Sequence, residues 1–204
     1  MKGFDEMNET TIVLIVFVII VFLTPLIRRF LQAKKQYEFS TLLQNKDFDL
    51  LEKKLNSFSS KALFPRYTLE SIRLQIYLVQ DQKKKIDQQY RVVIESATTK
   101  KQKKEILSNA FEHYVFLSDA PKSRNLLEKI KKLEDESLIQ RCQMLYDIFI
   151  EKSTNYIKPL EDKFSQLEGS EKMISAYLLS IQYSHLNNKK KAEYYAELSK
   201  QFFE

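Results

Sequence analysis

Apolar and polar positions divide this chain into two regimes. From Thr11 to Ile27 the sequence reads TIVLIVFVIIVFLTPLI, seventeen residues without a charge, so a helix built on it is apolar on every side. Beyond Gln32 the apolar positions recur at i, i+3, i+4 and i+7, the spacing of helices that bury one face and wet the other. At about 1.5 Å per residue the first stretch covers roughly 25 Å, and Phe30 and Leu31 lengthen it past Arg28 and Arg29, whose long side chains can reach back to an interface. It predicts a transmembrane helix over 11–32. A buried helix of a soluble protein would need a large domain around it, and the amphipathic sequence that follows does not supply one.

The ten residues before this stretch, MKGFDEMNET, lack the basic opening of a cleavable signal, and RRFLQAKKQY after it lacks a small-residue cleavage site. Lysine and arginine near the span number Lys2 on one side against Arg28, Arg29, Lys34 and Lys35 on the other. Positive charge tends to stay in the cytoplasm. The expectation is a single-pass protein of a plasma membrane, in bacterial style, with residues 1–10 as a short extracytoplasmic tail and the C-terminal part cytoplasmic. Arg28, Arg29, Lys34 and Lys35 are the expected membrane-interface residues. Pro25 either kinks the helix near its inner end or only bends it.

Residues 33–65 predict a juxtamembrane helix pair and a connector. The pair breaks at Asn45 to Asp47, its second helix carries Phe48, Leu51, Leu55 and Phe58 on one face, and Ser57 to Leu63 connects to a helix starting at Pro65. From 66 to 204 the helices come in pairs. The first, 66–80 and 82–97, turns near Gln80 to Gln82 and buries Ile86, Tyr90 and Val93. The second, 101–118 and 120–133, carries Leu107, Ala110, Phe111, Tyr114 and Val115, then Leu126, Leu127, Ile130 and Leu133. The third opens on Asp135 as N-cap, carries Leu138, Cys142, Leu145, Tyr146 and Phe149, breaks at Lys152 to Asn155, and resumes to Glu168, with Gly169 as its stop. Pro159 fits only if that helix starts no earlier than Asn155. Ser170 is the expected cap of the last pair, 171–186 and 188–203. Its first helix presents Met173, Ile174, Tyr177, Leu178 and Ile181, and its second Ala192, Tyr195, Ala196 and Phe202.

Four first helices carry a tyrosine shortly before the turn, Tyr77, Tyr114, Tyr146 and Tyr183, at intervals of 37, 32 and 37 residues. With two helices per unit and small residues such as Ala192 and Ala196 late in the array, residues 36–204 resemble a degenerate tetratricopeptide-like repeat domain. The early tryptophan, the first-helix glycine and the closing proline of that family are missing. The resemblance implies an all-α solenoid of four to five helix pairs behind the anchor, in which each unit buries its apolar face by stacking on its neighbours. It also implies scaffold or adaptor work on a concave face. A non-repetitive helical bundle is the other architecture this pattern allows. The tyrosines suit packing between paired helices better than ligand stacking.

Composition sharpens this picture mainly by exclusion. Two glycines and four prolines among 204 residues leave little for hairpins or nucleotide loops. No glycine-rich phosphate loop, nucleophile elbow, His-Glu-x-x-His or Cys-x-x-Cys occurs. His113 and His185 are far apart, Cys142 sits on an apolar helix face, and Glu134, Asp135 and Glu136 serve a helix start by its dipole. No catalytic, metal or cofactor residue is expected. The net charge of +6 falls outside residues 1–32, and lysines cluster at turns: Lys83, Lys84, Lys85, Lys100, Lys101, Lys103, Lys104, Lys131, Lys132, Lys189, Lys190 and Lys191. They suit a solvated rim, attraction to anionic lipid through Lys83–Lys85 and Lys189–Lys191, or, more weakly, nucleic acid or another acidic polymer.

The expectation is therefore a non-enzymatic, membrane-anchored scaffold or adaptor. Its partners are lipid around residues 11–32 and a protein the sequence does not identify, with no cofactor and with nucleic acid disfavoured. The alternative is a membrane-tethered binder of nucleic acid, acidic polymer or lipid through its lysine-rich turns.

Overall fold

Every helix stop in this chain has a local cause, and the causes repeat. In the computed structural model, which describes residues 9–200 apart from the side chains of residues 9–13, 15, 16, 19 and 20, the order is α1 Glu9–Gln44, α2 Phe48–Asn56, α3 Phe58–Leu63, α4 Arg66–Val79, α5 Lys83–Ser96, α6 Lys100–Phe116, α7 Ala120–Lys131, α8 Glu136–Phe149, α9 Ile157–Phe164, α10 Gly169–His185 and α11 Lys189–Lys200. The fold is all-α and helical-repeat-like, with no strand among the described residues.

Four turns share one geometry. Lys46, Asp81, Ser118 and Asn187 have φ between 49° and 59°, the left-handed conformation that closes a helix. The next amide in each case bonds back five residues: Asp47 N–H to Leu42 O, Gln82 to Tyr77, Asp119 to Tyr114 and Asn188 to Tyr183, at 2.9–3.0 Å. Three of the four repeat tyrosines, Tyr77, Tyr114 and Tyr183, therefore accept the bond that closes their helices. Starts are equally local. Thr99 and Gln102 form a reciprocal capping box at α6, and Asp47, Asp119 and Asp135 each accept an amide of the following first turn.

The described residues form two compact units, divided between Ser96 and Ala97. In the first, α2 runs back along the end of α1, with Lys54 bridging Glu38 at 2.7 Å. Phe39, Leu51, Leu55, Phe64, Leu69 and Ile76 make a core in which the Phe39 and Phe64 rings lie 5.7 Å apart, and α4 and α5 pair as a hairpin. In the second unit the first helices α6, α8 and α10 follow side by side, with α7 packed on α6 and α8 and α11 on α10.

Several boundaries differ from the sequence expectation. The short helix before Asn45 is the end of α1, which continues unbroken through Pro25. Residues 57–63 are not a plain connector: Ser57, extended at ψ 147°, ends α2 and caps α3. That kink resets the helical phase, so Phe58 leaves the Leu51–Leu55 face and is 88% exposed. α9 stops at Phe164, short of Gly169, and packs on α10 rather than closing a hairpin with α8. Gly169, at φ 52°, instead opens α10 after Glu168, so Ser170 is not its cap. α9 starts at Ile157, so Pro159 lies in its first turn, where no helical bond is lost.

Among the described residues no helix is long and apolar enough to cross a membrane. The span expected at 11–32 lies partly outside the described side chains. The tail expected at 1–10 lies outside them entirely, only the backbone of Glu9 and Thr10 being described, and Phe202 lies outside as well.

Candidate binding groove

Phe116 follows Tyr114 by two residues, about 200° around the helix, so while Tyr114 and Phe111 are buried, Phe116 points outward and is 55% exposed. On α10, Ala176, Leu179 and Tyr183 face the core at i, i+3 and i+7, which turns Ile174 and Tyr177 to the opposite side, 52% and 42% exposed. Phe149, the last residue of α8, lies between these two helices. Its ring meets Phe116 edge-on at 5.2 Å and Tyr177 at 6.1 Å, so one aromatic ladder crosses α6, α8 and α10.

Beside the ladder lies a groove of about 410 Å³, floored by Met144, Leu145 and Leu178, with an ion pair of Arg141 and Glu112 at its rim. A second hollow of about 230 Å³, formed by Met173, Ile174, Tyr177 and Ser199, continues it on the far side of Ile174 and Tyr177. Such a surface can take large apolar side chains from a partner, with methionine sulfur and aliphatic tips adjusting to their shape.

No thiol or imidazole lines it. Cys142 is fully buried on α8 and burial pushes its thiol up to about 11. His185 is half-buried, and burial together with the charge of Lys152 lowers its pKa, so the imidazole is neutral near pH 7. His113 meets the Tyr114 ring edge-on at 5.1 Å. Among the described residues no group of three or more His, Cys, Asp or Glu side chains is placed to hold a metal ion.

The repeat tyrosines lie on the core side of the first helices, and Tyr114, Tyr146 and Tyr183 do not line the groove. Tyr114, Tyr146 and Tyr183 are buried and Tyr77 is half-buried. Each has a cation at its ring: Lys85 at 5.1 Å from Tyr77, Lys122 at 4.6 Å from Tyr114, Arg124 at 6.0 Å from Tyr146 and Lys191 at 4.6 Å from Tyr183. In three of the four the cation follows the tyrosine by eight residues, across the shared turn. Arg124 also donates from Nε to the Tyr146 hydroxyl at 3.1 Å. In the last pair, Glu161 Oε1 of α9 accepts from Tyr183 Oη at 2.6 Å, Tyr195 Oη at 3.0 Å and Lys191 Nζ at 3.2 Å. The two rings stack 5.8 Å apart. Burial and the carboxylate push the Tyr195 phenol up to about 12, and hydrogen bonds to Tyr183 and Glu161 raise Lys191 to about 12.

The lysines expected to meet anions are therefore of two kinds. Lys83, Lys84, Lys189 and Lys190 are exposed at the turns, while Lys85 and Lys191, also exposed, are held against tyrosines. Lys104 pairs with Asp135, and Lys131 with Glu128 at 2.9 Å. Of the expected interface residues, Arg28, Arg29 and Lys34 are exposed, and Lys35 is half-buried with Nζ 3.4 Å from Ser60 Oγ.

Sequence periodicity had assigned Ile174 and Tyr177 to the core face and did not single out Phe116 or Met144. The available signal is surplus: α6 and α10 carry more large apolar residues than one buried stripe can use. No family model matches the chain, and neither a curated protein nor a solved structure matches it.

Proposed function

We propose that this chain is a single-pass membrane protein whose helical-repeat domain, on the cytoplasmic side, docks a partner protein in the groove of α6, α8 and α10, as a scaffold or adaptor rather than an enzyme. The observation that carries this reading is the aromatic ladder Phe116–Phe149–Tyr177, which leaves large apolar side chains in water beside a hollow lined mainly by apolar and aromatic side chains. Isolated exposed apolar residues are ordinary; a contiguous row across three neighbouring helices favours an occupant. The groove suits an apolar helix or extended segment that presents anchors at i, i+3 or i+4 and i+7.

The anchor is supported by α1 itself. Exposed apolar side chains at 14, 17, 18, 21, 22, 23, 26, 27, 30 and 31, placed at about 100° per residue, surround the helix with no gap wider than about 40°. No amphipathic packing against one neighbour would cover them all, whereas a bilayer would. Tetratricopeptide-like stacking remains the reading of the repeats that the shared turns and tyrosine–cation pairs support. The lysine turns favour a nucleic-acid reading less, since Lys85, Lys104, Lys131 and Lys191 already have internal partners.

The test is site-specific photocrosslinking in intact cells from Phe116 and from Ile174, with the exposed Lys84 as a control position. A discrete adduct from both groove positions, absent from Lys84 and weakened by Tyr177→Ala, is the expected result. Identical adduct patterns at all three positions, or none from the groove, would refute docking there.

A further inference from the structure

We infer that the corner formed by α3 and the start of α4 is a second membrane-contact surface, seating Phe58 in the interfacial layer and Lys61 and Arg66 among anionic phospholipid headgroups. This rests on the anchor reading of α1.

Position along the anchor comes first. α2 runs antiparallel to α1: the turn at Lys46 starts it, Lys54 is level with Glu38, and the chain then reaches Ser60 opposite Lys35 and Leu63 opposite Gln32. Gln32 Nε2 donates to the Leu63 carbonyl at 2.6 Å. From there α4 heads back into the unit, with Phe64 against Phe39. The α3–α4 corner is thus the part of α2–α4 that climbs furthest toward the apolar segment. Gln32 and Lys35 follow the last apolar residue of that segment, Leu31, by one to four positions, about 1.5–6 Å of helix. The headgroup layer on either side of a hydrocarbon core is about 5–7 Å thick. The corner and the headgroups therefore occupy the same level.

Its surface chemistry fits that level. Phe58, at 88% the most exposed large apolar side chain among the described residues of this unit, shares the corner with exposed Ala62 and Pro65 and with two outward cations, Lys61 and Arg66. A cleft of about 370 Å³ lies beside them, and in it Arg73 is engaged by Glu70 and by Asn56 at 3.0 Å, so Lys61 and Arg66 are the cations left facing outward. One turn nearer the bilayer on the same face of α1 stands Arg28, which is also exposed. An aromatic side chain flanked by cations at the headgroup level is the composition of interfacial anchors.

The chain has no tryptophan, so Phe58→Trp and, separately, Phe22→Trp in α1 each give a single reporter. Full-length protein carrying either is reconstituted into phosphatidylcholine vesicles, with or without phosphatidylglycerol, using brominated acyl chains as quencher. The expected result is that the Phe58→Trp reporter is blue-shifted, quenched by the brominated lipid and shielded from iodide, most strongly on anionic vesicles. Each cation near an anionic surface contributes about 1 kcal/mol, about fivefold, so Lys61→Gln with Arg66→Gln lowers the ratio of seated to lifted corner about 30-fold on those vesicles. A Phe58→Trp reporter open to iodide and unquenched, while the Phe22→Trp reporter is quenched, overturns this surface and leaves the anchor standing. If neither is quenched, both readings fall. Quenching that is insensitive to lipid charge and to the two substitutions overturns the headgroup contact.

Discussion

Glu161 is the point at which the last three helices are held together, and its removal has a calculable effect. One carboxylate oxygen accepts two phenols, Tyr183 at 2.6 Å and Tyr195 at 3.0 Å, and each bond is worth about 1 kcal/mol net at a partly wetted site. The Lys191 contact is exposed and is left out of the sum. Glu161→Ala should therefore weaken α9–α11 by about 2 kcal/mol, equivalent to about 30-fold in a local opening equilibrium. Hydrogen exchange followed by mass spectrometry reads this directly: amides of α9, α10 and α11 should exchange about 30-fold faster, and those of α4 and α5 should not change. The pH dependence has a definite sign. Burial alone would raise the Glu161 carboxyl, but hydrogen bonds from Tyr183, Tyr195 and Lys191 outweigh it and hold its pKa below the ordinary 4.5. Its contribution is thus fully present above the ordinary carboxylate range and is lost as pH falls through the depressed value. Wild type and Glu161→Gln should converge in acid. Equal exchange at neutral pH in wild type and Glu161→Ala would show that stacking and apolar contacts alone hold these helices, and would refute the account.

Phe111→Ala and Phe116→Ala should separate the two faces of α6. The first empties a fully buried site and should cost about 3–5 kcal/mol in denaturant unfolding, whereas the second should stay within about 0.5 kcal/mol and still abolish crosslinking from the groove. Cys142, buried with its thiol near 11, should be about one part in a thousand thiolate at pH 8 and inert to a thiol reagent until denaturant is added; rapid reaction of the native protein would contradict its placement. Ser118→Gly, at φ 56°, should stabilise the α6–α7 turn by about 1 kcal/mol, since glycine carries no left-handed penalty; a loss of stability would mean that the Ser118 side chain makes a contact of its own.

The helix pairs were legible because burial in this chain follows helical period closely: Ile86, Tyr90 and Val93, or Leu107, Ala110, Phe111 and Tyr114, stand where a single buried face requires them. The turns fall where the breaks in period put them, but their geometry was not legible, and the reason is chemical. With two glycines in the chain, left-handed closing positions fall to Lys46, Asp81, Ser118, Glu134, Lys152 and Asn187, and none of these residue types by itself specifies a left-handed backbone. The 6→1 bond that unites four of the turns belongs to the backbone and has no side-chain spelling. The third pair departs for a related reason. Its turn places the left-handed residue at Lys152, six beyond Tyr146 rather than four, and the intervening loop is held instead by Tyr156, whose hydroxyl donates to Asp147 at 2.5 Å and whose amide donates to buried Gln182 at 3.1 Å.

The groove stayed hidden for a different reason. Period identifies an apolar face but does not say which of two apolar faces is covered, and α6 and α10 have two. Tyr183 and Tyr177 are both tyrosines on one helix, six residues apart, yet the first is buried under Lys191 and the second stands in the groove. What separates them is the company each keeps. The tyrosine that precedes a left-handed turn by four residues and a lysine by eight is fixed by that turn, because its carbonyl ends the helix and its ring receives a lysine from the first turn of the next one. Tyr177 has neither mark, as is true of Phe116 and Phe149. Phe116 and Tyr177 lie off both the buried stripe and the turn-linked pattern, and they are the residues left exposed beside the groove. On the same logic Phe58, displaced from its helical phase by the Ser57 kink, stands outside the core.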